Sequence, residues 1–122
     1  MGNSFVKAIA EVGVIPVILV RRTAIVEKRA DEIILIGGNA LAVTADVMDI
    51  AQFYSAKDKI ENILGIIHGL VNAAGGNLRE GVILPDADVF DLILQGMKSA
   101  IDLNIWGTIF PTQVFGQVIA VH

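Results

Sequence analysis

The side chains in this sequence that could do chemistry are few, and most stand where an apolar run ends. Arg21 and Arg22 follow the run at residues 14–20. Two adjacent guanidinium groups there suit a phosphate, which arginine grips with paired hydrogen bonds, or simply a solvated strand end. Asp46, with Val47 behind it, closes a second run at 40–45. A carboxylate at that point can serve a ligand, or cap the helix that follows by accepting from its free N–H groups. A third, very short run at 69–71 leads into Asn72-Ala73-Ala74-Gly75-Gly76-Asn77, residue types that favour turns in any protein. Asn104 stands alone in a helical stretch, where it reads as a functional amide or as a solvent-facing residue. The lone tyrosine, Tyr54, precedes Lys57 and Lys59 by three and five residues.

Other chemistries find no support. Zero cysteines remove thiol catalysis and disulfides and fit a cytoplasmic protein. His68 and His122 have no acidic or cysteine partner at metal-ligand spacing, so no metal site is expected. A formal charge of −4 without a basic cluster argues against nucleic acid as a partner. The longest apolar run is far shorter than a bilayer requires, and the N-terminus does not read as a signal peptide, so no membrane association is expected. At 122 residues and 54% hydrophobic, the chain is greasy for its size, since small domains expose proportionally more surface. It is expected to bury faces against a partner or against itself.

The elements that must position these residues alternate between helix and strand. Phe5, Ala8, Ile9 and Val12 fall at helical spacing and stop at Gly13. Residues 14–20 read as a buried strand, 23–36 as an amphipathic helix closed by Gly37-Gly38-Asn39, and 40–45 as a second strand. A second amphipathic helix carries Phe53, Ala56, Ile60, Ile63, Leu64 and Ile67 on one stripe. Residues 69–71 read as a third strand and 78–88 as a loop. Helix runs from Val89 onward, in two segments meeting near Gly107 or Pro111. This order predicts one α/β domain over residues 1–122, built on a parallel sheet.

Those positions carry a resemblance. Asn72-Ala73-Ala74-Gly75 after a short strand, Asp46-Val47 at the end of the strand before it, and Asn104 in a later helix are similar to motifs of the short-chain dehydrogenase/reductase family, in the same order. Ala74-Gly75-Gly76-Asn77, Val89-Phe90-Asp91-Leu92, Leu103-Asn104, Gly107-Thr108 and residues 111–115 further resemble its branch acting on sugar acids, the mannonate and fructuronate oxidoreductases. The resemblance implies a partial Rossmann-like, doubly wound sheet, with these strands equivalent to strands 2, 3 and 4. It implies an NAD(P)-dependent oxidoreductase interconverting a hydroxyl and a carbonyl on a polyol or sugar acid, and a homo-oligomer. In that map Arg21 and Arg22, with no acid beside them, favour the 2′-phosphate of NADP over NAD. Asp46 and Val47 border the adenine, and residues 72–75 lie against the cofactor, Gly75 allowing close backbone approach. Asn104 belongs to the catalytic set and would hold a water of the proton relay. Ala100, Ile101, Ile105, Ile109, Phe110 and Val114 would supply the interface between subunits.

The departures are as plain as the matches. No glycine-rich turn, where a helix N-terminus would meet the pyrophosphate, precedes residue 14. Residues 1–13 have no room for a strand, that turn and a helix together. Strand 1 of this topology lies between strands 2 and 4, so its loss is expected to leave a gap in the sheet. No Tyr-x-x-x-Lys pair is present either, because neither lysine after Tyr54 has the spacing of four. Hydride transfer therefore lacks its proton partner. The alternative expectation is an inactive α/β fragment that acts only by associating with itself or with another chain.

Overall fold

The structure, a computed structural model, describes residues 2–21, 28, 31, 39–76 and 78–122. The helix expected over 23–36 and its glycine stop fall almost entirely outside the described residues, as does Arg22. The first helix, α1 (Gly2–Glu11), ends as expected. Gly13 takes φ +83°, and its N–H and that of Val14 bond to the carbonyls of Ala10 and Ile9. The positive φ is one that a side chain would oppose.

Strand β1 (Val17–Val20) pairs in parallel with β2 (Leu41–Thr44), Val17 opposite Leu41 and Val20 opposite Thr44. The strands are shorter than the apolar runs that contain them. Pro16 at the start of β1 has no N–H to donate, yet its carbonyl accepts from Leu41 N–H at 3.0 Å. Side chains alternate across the ladder. Val17, Leu19, Leu41 and Val43 face one layer, with Phe53, Ala56, Ile60, Val114 and Phe115. Ile18, Val20, Ala40 and Ala42 face the other, where Val6 and Ala10 of α1 pack. Apolar residues on both faces are what a parallel sheet covered on both sides requires.

Helix α2 (Ile50–Leu64) starts at Asp49, whose side chain accepts from the N–H groups of Ala51 and Gln52. Asp46, the other candidate for this cap, sits one turn too early and does not cap. Asp49→Ala is expected to lower stability by ~1 kcal/mol, read as a shift in the urea midpoint at unchanged m-value. Of the predicted stripe, Phe53, Ala56 and Ile60 are buried, while Ile63 is exposed at 54%. Gly65, at φ +81°, stops the helix, and Ile67 returns to the core from the segment beyond it.

Two expectations are corrected. Residues 69–71 form no strand, and the described sheet has two strands. A strand is defined by its ladder, and among the described residues these have no neighbouring strand with which to exchange hydrogen bonds. The C-terminal helix α3 (Leu94–Ala120) is also continuous, running through both Gly107 and Pro111. Pro111 removes the N–H that would reach the Gly107 carbonyl. Burial of Gly107, Pro111, Val114 and Phe115 on one side holds the helix together across that missing bond. Two short 3-10 turns (Arg79–Gly81 and Val89–Asp91) lead into α3. No described helix is long and apolar enough to cross a membrane.

Candidate functional site

The site lies at the C-terminal ends of β1 and β2, where each chain segment leaves the sheet. The parallel register that sets Val20 beside Thr44 brings the residues just beyond them together. Arg21 Nη1 lies 4.0 Å from Asp46 Oδ2, with the arginine side chain 69% exposed. At that distance the pair is a loose electrostatic contact, the only ion pair the guanidinium makes among the described residues. Asp46 is held more firmly. Its Oδ1 accepts from Met48 N–H, and its own N–H donates to Gln52 Oε1, each at 2.9 Å. Gln52 in turn donates to the capping Asp49 at 2.9 Å.

Residues 72–76 run alongside α3 in the opposite direction, joined to it at three levels. Asn72 Nδ2 donates to Thr112 Oγ1 at 2.9 Å. A turn and a half further down, Ala74 lies against Gly107, where an added Cβ would come within 3.5 Å of Ala74 Cβ and 3.7 Å of Val47 Cγ2. At the third level Gly76 N–H donates to Asn104 Oδ1 at 3.1 Å, and Asn104 Nδ2 donates back to the Gly76 carbonyl at 3.0 Å. The spacings match. Residues 104 to 112 rise ~12 Å along a helix, and residues 72 to 76 span ~13 Å when extended.

Asn104 is the clasp of this arrangement. Its second N–H donates to the Ala100 carbonyl at 2.7 Å, so both side-chain donors and the oxygen are engaged with the protein. The glycine beside it follows from this. A Cβ at Gly75 would stand 2.6 Å from Asn104 Oδ1, and Gly75 takes φ +150°. The missing Cβ at Gly75, expected to admit a cofactor, first admits Asn104. Ala73 carries no described contact, and residues 71–76 are exposed.

Thus Asp46, Val47, Asn72, Ala74, Gly75 and Asn104 converge, with Arg21 at the margin. Sequence reasoning missed the partners: Thr112, Gly107 and Gly76. Their signal was present, because Gly107 and Thr112 lie three and eight residues beyond Asn104 and so near one helical face. Tyr54 lies apart and exposed. The Lys57 ammonium is turned away to Asp58 at 2.9 Å and Glu61 at 3.4 Å. The hydrogen bond to Asp58 is the main reason its pKa stands above the ordinary lysine value. Neither residue forms an acid–base pair. Among the described residues no group of three His, Cys, Asp or Glu side chains is placed to hold a metal.

A parallel sheet with ligand-competent groups at its carboxyl ends is the general plan of the open α/β proteins that bind nucleotides. Comparison narrows that class. The pattern of the family described as short chain dehydrogenase matches residues 1–119, and the chain belongs to this oxidoreductase family. An uncharacterised oxidoreductase of Bacillus subtilis is 32% identical over 94 residues, covering 70% of this chain and 34% of that protein. One of Haemophilus influenzae is 30% identical over 101 residues, covering 75% and 35%.

Among solved structures, one described as a D-mannonate oxidoreductase from Haemophilus influenza, with bound NAD, superposes with a TM-score of 0.86 at 27% identity, covering 96% of this chain and 45% of that one. A 3-ketoacyl-ACP reductase from Sinorhizobium meliloti gives 0.82 at 30% identity, covering 97% and 44%. The chain therefore spans about a third of the length of these curated relatives and under half of these structures.

Proposed function

We propose that this chain is the adenosine-binding and scaffold portion of an NAD(P)-dependent oxidoreductase that interconverts a hydroxyl and a carbonyl on a polyol or sugar acid. The observation that carries the reading is the clasp of Asn104 on Gly76, which fixes the exposed backbone of residues 72–76 beside the strand ends bearing Arg21 and Asp46. The neighbour holding NAD supports a nicotinamide dinucleotide, and its description as a D-mannonate oxidoreductase supports the sugar-acid class. When bound, the nicotinamide supplies the hydride acceptor or donor.

The residues present fit one end of that cofactor. Arg21 offers an open guanidinium to a 2′-phosphate, Asp46 offers an acceptor to the adenine edge, and Val47 flanks it with apolar surface. The pyrophosphate fits less well, because no glycine-rich turn leads into a helix N-terminus among the described residues. Asn104 is assigned as a positioning residue that holds the 72–76 backbone. No proton-transfer step is assigned to these residues, which include no tyrosine–lysine pair.

NADPH binding is therefore expected to be weak, with Kd about 1 mM, and tighter than NADH binding by about tenfold. Fluorescence titration of the full chain reads both. Arg21→Glu should erase the preference by placing a carboxylate where the phosphate would sit. Equal affinities for the two in the unaltered chain would contradict the assignment.

Association with a second copy is part of the reading. Met97, Ile101, Ile105 and Ile109 repeat every four residues along α3 and are exposed between 43% and 47%. Of the interface expected from the sequence, Ile101, Ile105 and Ile109 lie on this stripe. Val114 is buried and leaves the list, while Ala100 and Phe110 are half-buried. Ile105→Lys is expected to shift the chain toward monomer in sedimentation velocity, since a charge in an apolar contact is costly. A second reading, in which the chain acts only by association, draws on the same exposed stripe.

A further inference from the structure

We infer that Thr112 is a positioning residue, whose hydroxyl sets the register of residues 72–76 on α3 and with it the placement of the backbone offered to the dinucleotide. The inference rests on the dinucleotide reading above and deepens it by giving that segment a second anchor besides Asn104.

The Thr112 hydroxyl donates to the Thr108 carbonyl, four residues back in α3, at 2.7 Å. A threonine bonded back to its own helix in this way is held in one rotamer. A hydroxyl has one proton to give, so Oγ1 is left open to donors only. Asn72 Nδ2 donates to it at 2.9 Å. A reversed amide would set Oδ1 against Oγ1 with no proton between them. Thr112 therefore fixes the polarity of the Asn72 amide as well as its place.

Asn104 does not set the register by itself. Both of its bonds to the segment go to one residue, Gly76, and a chain held at one point can pivot about it. Asn72 stands at the other end of the stretch and meets α3 about two turns beyond Asn104. With both ends held, Ala74 is kept over Gly107, where Val47 also arrives. A slip of one residue moves extended chain by ~3.3 Å. In one direction it would set Ala74 where Gly75 now stands, and a Cβ there meets Asn104 Oδ1 at 2.6 Å.

Asn72 and Thr112 are both exposed. Water competes for such a bond, so its net contribution to stability is modest. Its effect on where the backbone lies does not depend on that net value. Position is therefore what a test must read, with stability as the control.

The test compares the full isotope-labelled chain with Thr112→Val, which keeps the shape and loses the hydroxyl, and Thr112→Ser, which keeps the hydroxyl. Thr112→Val should move the NMR shifts of the Asn72 side-chain amide and of the backbone amides at 73–76. It should weaken NADPH binding about fivefold, the worth of one hydrogen bond. Thr112→Ser should restore all of these, with the urea midpoint nearly the same in each chain. Asn72→Leu removes the same bond from its other side and must reproduce the loss. The double variant should bind NADPH no more weakly than either single one.

Four results overturn the inference: unmoved shifts at 73–76 in Thr112→Val, unchanged NADPH affinity in that variant, no rescue by serine, or a lowered urea midpoint with shifts spread to Phe53 and Phe115. Absence of saturable NADPH binding in the unaltered chain would sink the dinucleotide reading separately. The shifts at 73–76 would then decide alone whether Thr112 holds the segment.

Discussion

Phe53→Ala is expected to destabilise the fold by about 4 kcal/mol, within the range for truncating a buried phenylalanine. Phe53 is 2% exposed and meets Phe115 edge to face, ring centroids 6.1 Å apart. It joins the first turn of α2 to the C-terminal part of α3 and to Val43 and Ala45 at the sheet. Removing the ring leaves a cavity where three elements meet, and aromatic pairs add ~1 kcal/mol beyond their burial. Domains of this size hold only about 5–15 kcal/mol in total, so the loss is a large share of the whole. Urea titration should show the midpoint falling by about a quarter or more at unchanged m-value. A shift no larger than that of Asp49→Ala would mean that the core does not run through this ring.

Gly75→Ala should cost about 2 kcal/mol, from two causes at one position. The backbone there has φ +150°, and the new methyl would stand 2.6 Å from Asn104 Oδ1. The clasp must open for the methyl to fit, releasing both bonds between Asn104 and Gly76. The effect is coupled to its partner. In an Asn104→Ala background the Gly75→Ala cost should shrink, because the colliding oxygen is gone, and a double-mutant cycle measures that difference directly. Strict additivity would show that the glycine is required by its backbone conformation alone.

How much of this is legible in the sequence depends on where each signal resides. The helix stop at Gly13 and the burial of Phe53, Ala56 and Ile60 follow from local periodicity and from glycine's access to positive φ. The parallel pairing of β1 with β2 follows from the alternation of element types. The third strand expected over 69–71 does not form, because an apolar run reports burial and not pairing. Leu70 does pack against the core, but no neighbour among the described residues completes its ladder.

The break expected in α3 likewise comes from weighing Gly107 and Pro111 one at a time. Both lie on the buried side of the helix, and tertiary packing offsets their preference against helix, about 1 kcal/mol for glycine and about 3 kcal/mol for proline. In the site, Asn72, Gly75 and Asn104 stand out through resemblance, yet their mutual hydrogen bonds do not. Contacts between residues 28 positions apart, such as Gly76 with Asn104, leave no mark on local spacing. The distinction between Asp46 and Asp49 as helix cap is equally hidden, since both residue types suit the position and only the start of the helix decides it.

The most direct measurement is a map of backbone amide shifts in the full chain as NADPH is added. If the ends of β1 and β2 and the clasped segment form the adenosine end of a dinucleotide site, saturable changes should concentrate at Arg21, Asp46, Val47 and residues 72–76. The concave surface beside residues 79–93, lined by Arg79, Leu84 and Asp91, should stay silent. Changes confined to that surface, or no saturable change up to about 10 mM, would contradict the assignment of this site.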